Sequence, residues 1–392
     1  MTTPARALAL LEELVSHGPR FHGTPQMAAA VDWVASSVRG LGLAVRRETV
    51  ALPGWDPGTV RSVRVTSPVT RDLPAWPMLW SAGTSGEVTG TLEVLGPEGI
   101  WGDSIVWQRF GVRDDAGRIV VVVHARDGGP AAPQPLPSGS APDVAHLAIG
   151  HLDGLQLAEW IADRGPGGVT VSVDLDSGPR DRSASDNLVV DIPGTDPSAG
   201  TVVVCGHLDS FYNTLGAYDN GSGSIALLAL AELWAAAPPA RSIRIVWFTA
   251  EEWHLLGSRH HVAGLSEGDR AAIDFVLNLD GLGRGDHLET FVGPESFGFD
   301  VRDAIAAHAA ATGRTLSTVD RFPPTRGTDD ASFHAAGIPS VFLTFNDLHR
   351  LHQPTDTPNA GIAANIAWTV PLARSLAETL PRPARVPAPD LL

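Results

Sequence analysis

The sequence predicts an α/β protein: a mixed, mainly parallel sheet sandwiched by helices, with a small, mainly β domain inserted into it. Three observations carry this. Beyond residue 183, strand-like apolar runs alternate with segments of helical period, the pattern of a mainly parallel sheet covered on both faces. Between about 57 and 182 the texture changes to dense proline and glycine with short strand-like runs. Several apolar runs of the second half end in histidine or acids, and open α/β sheets collect ligand-binding side chains outside the carboxyl ends of their strands.

Taken in order, residues 5–17 and 25–42 have helical spacing. In the second, Ala29, Val31, Trp33, Val34, Val38 and Leu41 recur at helical intervals and Gly40 and Gly42 mark the end. The glycines and prolines between them, from Gly18 to Pro25, make a loop, and 45–52 reads as a strand. The insertion is expected to hold strands at 60–65, 91–94, 118–124 and 169–173, a helix at 154–162, and an exposed loop at 128–142. After it come strands at 187–192, 201–205, 242–249, 274–279 and 340–345. Helices are expected at 223–236, 258–264, 296–312 and 364–380. The division predicted is a catalytic domain of 1–56 and 183–380, an insertion of 57–182, and a flexible, proline-rich tail of 381–392.

At 392 residues the chain exceeds the usual single domain. Hydrophobic residues at 43%, charged residues at 18% and a mean hydropathy of +0.04 describe a soluble globular protein. With 28 basic against 44 acidic side chains, the net charge of −16 argues against nucleic acid or an anionic membrane as partner. Glu12 and Glu13 interrupt the first apolar segment as in an amphipathic helix rather than a signal peptide, so a cytoplasmic location is expected. The single cysteine, Cys205, excludes an intrachain disulfide and a thiolate metal cluster. Any metal must rely on imidazole and carboxylate, and Cys205 itself reads as a buried, inert thiol.

The chemistry gathers at four strand ends. His207 and Asp209 follow the run 201–205, Asp219 comes twelve residues after the histidine, Glu251 and Glu252 follow 242–249, and Asp280 follows 274–279. The loop after 340–345 adds His349 and His352. Each acid alone reads as a cap or turn residue. Together around one cleft they would repel one another strongly, and divalent cations remove that repulsion. Two histidines and three carboxylates, one of them bridging, suit two ions roughly 3.5–4 Å apart.

The segments Gly206-His207-Leu208-Asp209-Ser210, Gly216–Gly223 with Asp219-Asn220-Gly221, Glu251-Glu252 with Leu255–Ser258, Asn278-Leu279-Asp280 and His352–Thr357 resemble the motifs of the di-zinc aminopeptidase family. That family also contains glutamate carboxypeptidases and glutaminyl cyclases, and the chain is most similar to its bacterial leucyl aminopeptidase-like members. The loop 18–24 and Gly337-Ile338-Pro339 extend the likeness. The resemblance implies the zinc-exopeptidase, phosphorylase/hydrolase-like fold and two Zn2+ ions, for which Co2+ or Mn2+ can substitute. It also implies that His207 and Asp280 hold one ion, Glu252 and His352 the other, and that Asp219 bridges them. By it Glu251 is the general base, Asp209 orients His207 and Asp356 orients His352. Adjacent residues leaving a strand are expected to point in opposite directions, so that one glutamate ligates and the other faces the reacting water. Within the insertion, 117–123 and 152–157 are similar to the protease-associated domain, which implies a lid or partner surface.

The chain also departs from the family. Leu351 stands where many members have a tyrosine that stabilises the oxyanion, so either Tyr218 or another donor takes over or the substrate is unusual. Thr328-Asp329-Asp330 replaces Ser-Asp-His, so Asp329 or Asp330 could attract a substrate amine, or could cap a helix or face solvent. Arg326 could receive a substrate carboxylate. His254, His260 and His261 offer a third metal site or lie at the surface, His22 reads as structural, and Trp253 belongs to the core or an apolar wall. The expected function is a zinc-dependent exopeptidase, an aminopeptidase or dipeptidase acting on a peptide or amino-acyl amide next to a free amine. The alternatives are a carboxypeptidase or small-molecule N-acyl amide hydrolase, then a glutaminyl cyclase-like transferase or a non-catalytic scaffold. A homo-oligomer is compatible with all of them.

Overall fold

A computed structural model describes residues 2–100, 106–137, 139–141, 143–196, 198–322 and 327–386. The chain divides into two compact units, one of Met1–Ala51 with Ala184–Leu392 and one of Leu52–Ser183. In the first unit α1 (Pro4–Val15) and α2 (Pro25–Gly40) both begin on threonines, Thr3 and Thr24, whose side chains accept from Arg6 N and Met27 N, with proline in the first turn. β1 (Arg46–Asp56) then leads across the boundary into the second unit.

That unit holds β2 (Val60–Ser67), β3 (Arg71–Asp72), β4 (Ala75–Pro77), β5 (Val88–Gly99), β6 (Val106–Arg113), β7 (Ile119–Ala125), β8 (Ala145–Ile149), α3 (His151–Arg164) and β9 (Thr170–Leu175). Its sheet runs β3-β2-β9-β5-β6-β7-β8-β4, antiparallel except for β7 beside β8. Its core is built from Val63, Val65, Phe110, Val121, Val123, Leu147, Ile149, Leu157, Val171 and Val173. The stretch expected to be an exposed loop at 128–142 is different in its middle. Ala131, Ala132, Gln134 and Leu136 are buried, Leu79 N donates to Gln134 O (3.0 Å), Leu136 N donates to Leu79 O (3.2 Å), and Leu136 packs with Met78, Trp107 and Ala148. Paired backbone makes burial of so irregular a segment affordable.

The chain returns through β10 (Gly178–Ile192), followed by β11 (Thr201–His207), a tight turn at Ala217–Gly221, α4 (Ser222–Ala236), β12 (Ser242–Phe248), α5 (Leu256–Gly264), α6 (Glu267–Ala272) and β13 (Ile273–Leu282). Then come β14 (His287–Gly293), α7 (Glu295–Thr312), β15 (Ser317–Arg321), α8 (Asp330–Ala335), β16 (Ser340–Phe345) and α9 (Ala360–Thr379). The sheet order is β1-β10-β12-β11-β13-β16-β14-β15. Its centre, β12-β11-β13-β16, is parallel, and antiparallel neighbours flank it at β10 and β14. α4, apolar on every side, packs against β11 and β13, while Val203, Cys205, Val246, Phe248, Val262 and Phe333 form a cluster of their own. This is the mixed, mainly parallel α/β architecture that the sequence predicts.

Six strands were not predicted: β3, β4, β6 and β8 in the second unit, and β14 and β15 in the first, where neither carries an uninterrupted apolar run and β15 is mostly exposed. α9 starts at Ala360 rather than 364 because the Asn359 side chain accepts from Gly361 N (3.0 Å) and Ile362 N (3.1 Å). Residues 381–386 of the expected flexible tail are tied down. Arg382 donates to Ala271 O (2.9 Å), and Arg385 donates to Arg270 O (2.9 Å) and Ala271 O (2.7 Å). Among the described residues no helix is long and apolar enough to cross a membrane.

Candidate metal centre

Strand register brings the first two side chains together. Cys205 lies opposite Asn278 in the parallel pair β11–β13, so His207 and Asp280, each two residues further, share one level and one face. Asp280 Oδ1 is 3.3 Å from His207 Nε2. Asp219 arrives from the turn before α4 and sets Oδ1 3.1 Å from His207 Nε2, while its Oδ2 lies 3.3 Å from His352 Nε2. Glu252 Oε2 is 2.9 Å from the same His352 nitrogen, and Glu251 Oε2 is 3.9 Å from His207 Nε2. Potential ligand atoms thus form the sets His207–Asp219–Asp280 and Asp219–Glu252–His352, each within 4.8 Å, with a third set of His207, Glu251 and Glu252. One carboxylate belongs to both of the first two.

The turn that presents Asp219 is held from three directions. Asp356 accepts from Tyr218 N (2.7 Å) and Asp219 N (3.1 Å), Asn220 Nδ2 donates to Leu279 O (2.9 Å), and Gly223 N donates to Asn220 Oδ1 (2.8 Å). A Cβ on Gly223 would meet Leu279 O at 2.1 Å, which is why the segment needs glycine there. The Asp219–Asn220 peptide is cis. Asp356, expected to orient the ring of His352, instead binds the backbone beside Asp219. His352 is set by other means: Phe211 stacks on it at 4.2 Å and 28°, and Asn213 Nδ2 donates to its carbonyl (2.9 Å).

β12 ends at Phe248, and Ala250 takes a left-handed backbone (φ 54), so Glu251 and Glu252 leave a turn rather than a strand. The expected strand alternation therefore does not apply; both glutamates face the cluster, each toward a different histidine. Asp209 Oδ1 accepts from Glu251 N (3.3 Å) and lies 3.4 Å from His207 Nδ1, whose hydrogen bond goes to the Asp209 carbonyl (3.1 Å).

The electrostatics are those of an acid cluster short of positive charge. Burial, together with Glu252, Asp280 and Asp329, pushes the Glu251 carboxyl well up, against His207. Burial carries Glu252 to about 7 and raises Asp280. Burial alone would also raise Asp219, but the hydrogen bonds and charges of His207 and His352 hold it well below the carboxylate range. Burial opposes charge on both imidazoles; nearby acids nevertheless raise His207 far above its ordinary value and His352 to about 10. His207 Nε2 and Glu252 Oε1 are buried and make no properly aimed hydrogen bond. Nitrogen and oxygen donors in two sets, with orphaned atoms aimed among like charges, fit divalent cations.

The remaining predicted residues divide. Asp330 is fully buried and accepts from Thr328 Oγ1 (2.6 Å), Asn278 Nδ2 (3.2 Å) and Ser340 Oγ (3.4 Å). Asp329 stands at the N-cap of α8 without capping it. It is fully buried, both its oxygens lack an aligned hydrogen bond, and burial with Asp209 and Asp280 pushes it up to about 8. Leu351 is buried, and Arg326 lies outside the described residues. Tyr218 is buried, and its hydroxyl donates to Asn346 Oδ1 (3.1 Å). His349 is exposed, whereas His352 is buried in the cluster. Among the described residues His254, His260 and His261 join none of the potential ligand sets, and His261 Nδ1 meets Glu48 Oε2 at 2.8 Å. His22 contacts Thr249 Oγ1 (3.0 Å), Trp253 packs on Phe21 and His22, and Cys205 is a buried thiol that burial raises well above its ordinary value. Sequence reasoning missed Arg20, Phe211 and Asn213. Arg20 is fully buried, and burial pulls its guanidinium down to about 10 against the pull of Asp356, Asp209, Asp219 and Glu252.

Residues 187–373 match the model of peptidase family M28. Aminopeptidase YwaD of Bacillus subtilis is 26% identical over 345 residues, 84% of this chain and 73% of that protein. Leupeptin-inactivating enzyme 1 of Streptomyces exfoliatus is 43% identical over 100 residues, 25% of this chain, and the match spans only 22% of that relative's length. Among solved structures, an aminopeptidase from Aneurinibacillus sp. strain AM-1 aligns over 98% of this chain and 96% of its own at 20% identity (TM-score 0.72). A zinc aminopeptidase from Bacillus subtilis aligns over 96% of both chains at 23% identity (TM-score 0.70). These structural likenesses establish a shared fold.

Proposed function

We propose that the chain, whose residues 187–373 match peptidase family M28, is a hydrolytic metallopeptidase of that kind, a two-zinc aminopeptidase or dipeptidase. It would cleave the amide bond next to a free N-terminal amine in a peptide or amino-acyl amide. The observation that carries the two-ion reading is Asp219, whose separate oxygens face His207 and His352 at 3.1 and 3.3 Å. In this reading His207 and Asp280 hold one ion, Glu252 and His352 the other, and Asp219 both. Cobalt or manganese fits the same donors. The aminopeptidase reading draws on the names of the relatives. The net charge of −16 supports a small peptide partner over nucleic acid. We read Leu52–Ser183 as a protease-associated-like unit, on the motif likeness at 117–123 and 152–157.

Bound zinc supplies Lewis acidity, polarising the substrate carbonyl and making water nucleophilic at neutral pH. The chain supplies the rest. Glu251 is the base: its carboxylate lies at the cluster, 3.9 Å from His207 Nε2, its affinity for a proton is raised by burial and by Glu252, Asp280 and Asp329, and it can pass that proton to the leaving amine. Asp209 fixes the backbone of Glu251 and the ring of His207 together, holding base and ligand in one frame. The test is turnover of a panel of amino-acyl amides, free and N-acetylated, by protein of measured metal content. Hydrolysis of the free amines with refusal of the acetylated ones is expected; equal turnover of both would replace the aminopeptidase reading with an N-acyl amide hydrolase.

A further inference from the structure

Arg20 has no place in the chemistry just described, yet it is one of the largest fully buried side chains of the molecule. Buried guanidinium groups ordinarily sit against carboxylates. This one reaches backbone carbonyls instead: Nε donates to Leu208 O (2.7 Å), Nη1 to Leu215 O (2.6 Å) and Nη2 to Gly216 O (2.9 Å). Its own backbone is tied to the same stretch, Arg20 N donating to Ser210 Oγ (2.9 Å) and Ser210 N donating to Arg20 O (3.2 Å). Every one of these bonds lands on residues 208–216, at the beginning and at the end of a single loop.

That loop touches both halves of the centre. It starts next to His207 and carries Asp209. Phe211, midway, stacks on His352, and Asn213 holds the His352 carbonyl. The loop ends at Gly216, three residues before Asp219, where a Cβ would meet Asp219 O at 2.4 Å, Ser210 Cβ at 2.5 Å and Arg20 Nη2 at 3.1 Å. The fit leaves no slack between guanidinium, loop and bridging residue.

We propose that Arg20 is a positioning residue for both metal ions: by pinning the two ends of the loop 208–216 it fixes His207, Asp219 and His352 relative to one another. The inference rests on the two-ion reading. A planar fork reaches carbonyls at both loop ends in fixed directions; the single ammonium of lysine keeps the charge but not that geometry. Arg20→Lys therefore separates charge from placement.

The experiment strips the full-length wild type, Arg20→Lys, Arg20→Met, Ser210→Ala and Asn213→Ala of metal, titrates each with Zn2+ by calorimetry, and records thermal unfolding of each metal-free form. Wild type is expected to take two ions. Arg20→Lys should weaken both binding steps by roughly 10–100-fold, the range for residues that orient metal ligands. It should lower kcat more than it raises KM and leave the metal-free melting temperature near that of wild type. Arg20→Met should behave the same or more severely, and Asn213→Ala should weaken one step only. Wild-type affinity at both steps in Arg20→Lys overturns the proposal, as does a lowered melting temperature with both affinities intact, which marks a purely structural role. Should neither arginine variant fold, Ser210→Ala decides, because it loosens the same clamp: weakening at both steps supports the proposal and unchanged affinities overturn it. A wild type that takes no zinc would sink the two-ion reading itself, a result distinguishable from all of these.

Discussion

Two pairs of buried histidines sit in the two units of this chain, and their surroundings are opposite. In the unit of Met1–Ala51 with Ala184–Leu392, His207 and His352 each face carboxylates, and those acids raise both imidazoles against the cost of burial. In the inserted unit His124 Nε2 and His146 Nδ1 face each other at 2.9 Å, and Glu98 lies 4.0 Å from the far nitrogen of His124. There burial prevails, with Arg109 acting in the same direction, and the rings are pulled down to about 3 and about 4. The lesson is that burial does not define a functional histidine. A ring held among acids that lack counter-charge is prepared for a cation, whereas a ring paired with another neutral ring is prepared for none.

The comparison can be broken or sharpened by experiment. The largest effect is expected from Asp219→Ala, which removes the carboxylate common to both histidines: metal content and activity should fall to background, measured by elemental analysis and amide turnover. Glu251→Gln should reduce kcat by about 10²–10⁴-fold while metal content stays at the wild-type level; undiminished turnover would remove Glu251 as the base. Chelation should lower stability by about 3–4 kcal/mol per ion if free metal had exceeded its Kd by 100- to 1,000-fold, read as a drop in the urea midpoint that added zinc restores.

The inserted pair should respond to none of these. His124→Leu leaves a buried nitrogen of His146 without its partner and should cost about 1–3 kcal/mol of stability with kcat unchanged. The same pair also predicts a pH slope. An unfolded histidine titrates near 6.5, but the folded pair stays neutral down to about 4 and about 3. As pH falls below about 6.5 the unfolded chain binds protons that the folded chain refuses, so this contribution to stability is intact above that value and declines below it. Urea midpoints at pH 7 and pH 5 for wild type and for a His124→Leu/His146→Leu double variant measure it; equal declines in the two proteins would assign the slope elsewhere.

The parallel core and the grouping of His207, Glu251, Glu252, Asp280 and His352 were legible because each of these follows shortly after a strand-forming run in sequence, while Asp219 was legible from the motif it shares with the resembled family. Strand ends of a parallel sheet converge, so one-dimensional order carries three-dimensional information there. The supporting bonds were not legible. Asp356 reaches the backbone of residues 218 and 219, and Arg20 the carbonyls of 208, 215 and 216, contacts that impose no pattern on the residues they touch. Nor does composition distinguish an exposed proline-rich loop from one folded inward, as 131–136 is: its burial depends on pairing with Leu79, far away in sequence. Asp330 misled for a related reason. It stands where the resembled family has a histidine, which suggests a pocket lining, but Asn278 and Ser340 enclose it.

The division of Asp219 between two imidazoles has a consequence for how the proposed centre would load. Its two oxygens belong to a single rigid carboxylate, so a cation drawing on one of them changes the orientation and charge offered to the other. Occupancy of the two positions is then thermodynamically linked, and the factor by which the first ion alters the affinity of the second must equal the factor by which the second alters the first. Starved of metal, such a protein would not pass smoothly through half-filled forms of fixed character; the balance between empty, singly and doubly loaded molecules would depend on the sign of that linkage, and partial activity at low zinc would report it directly.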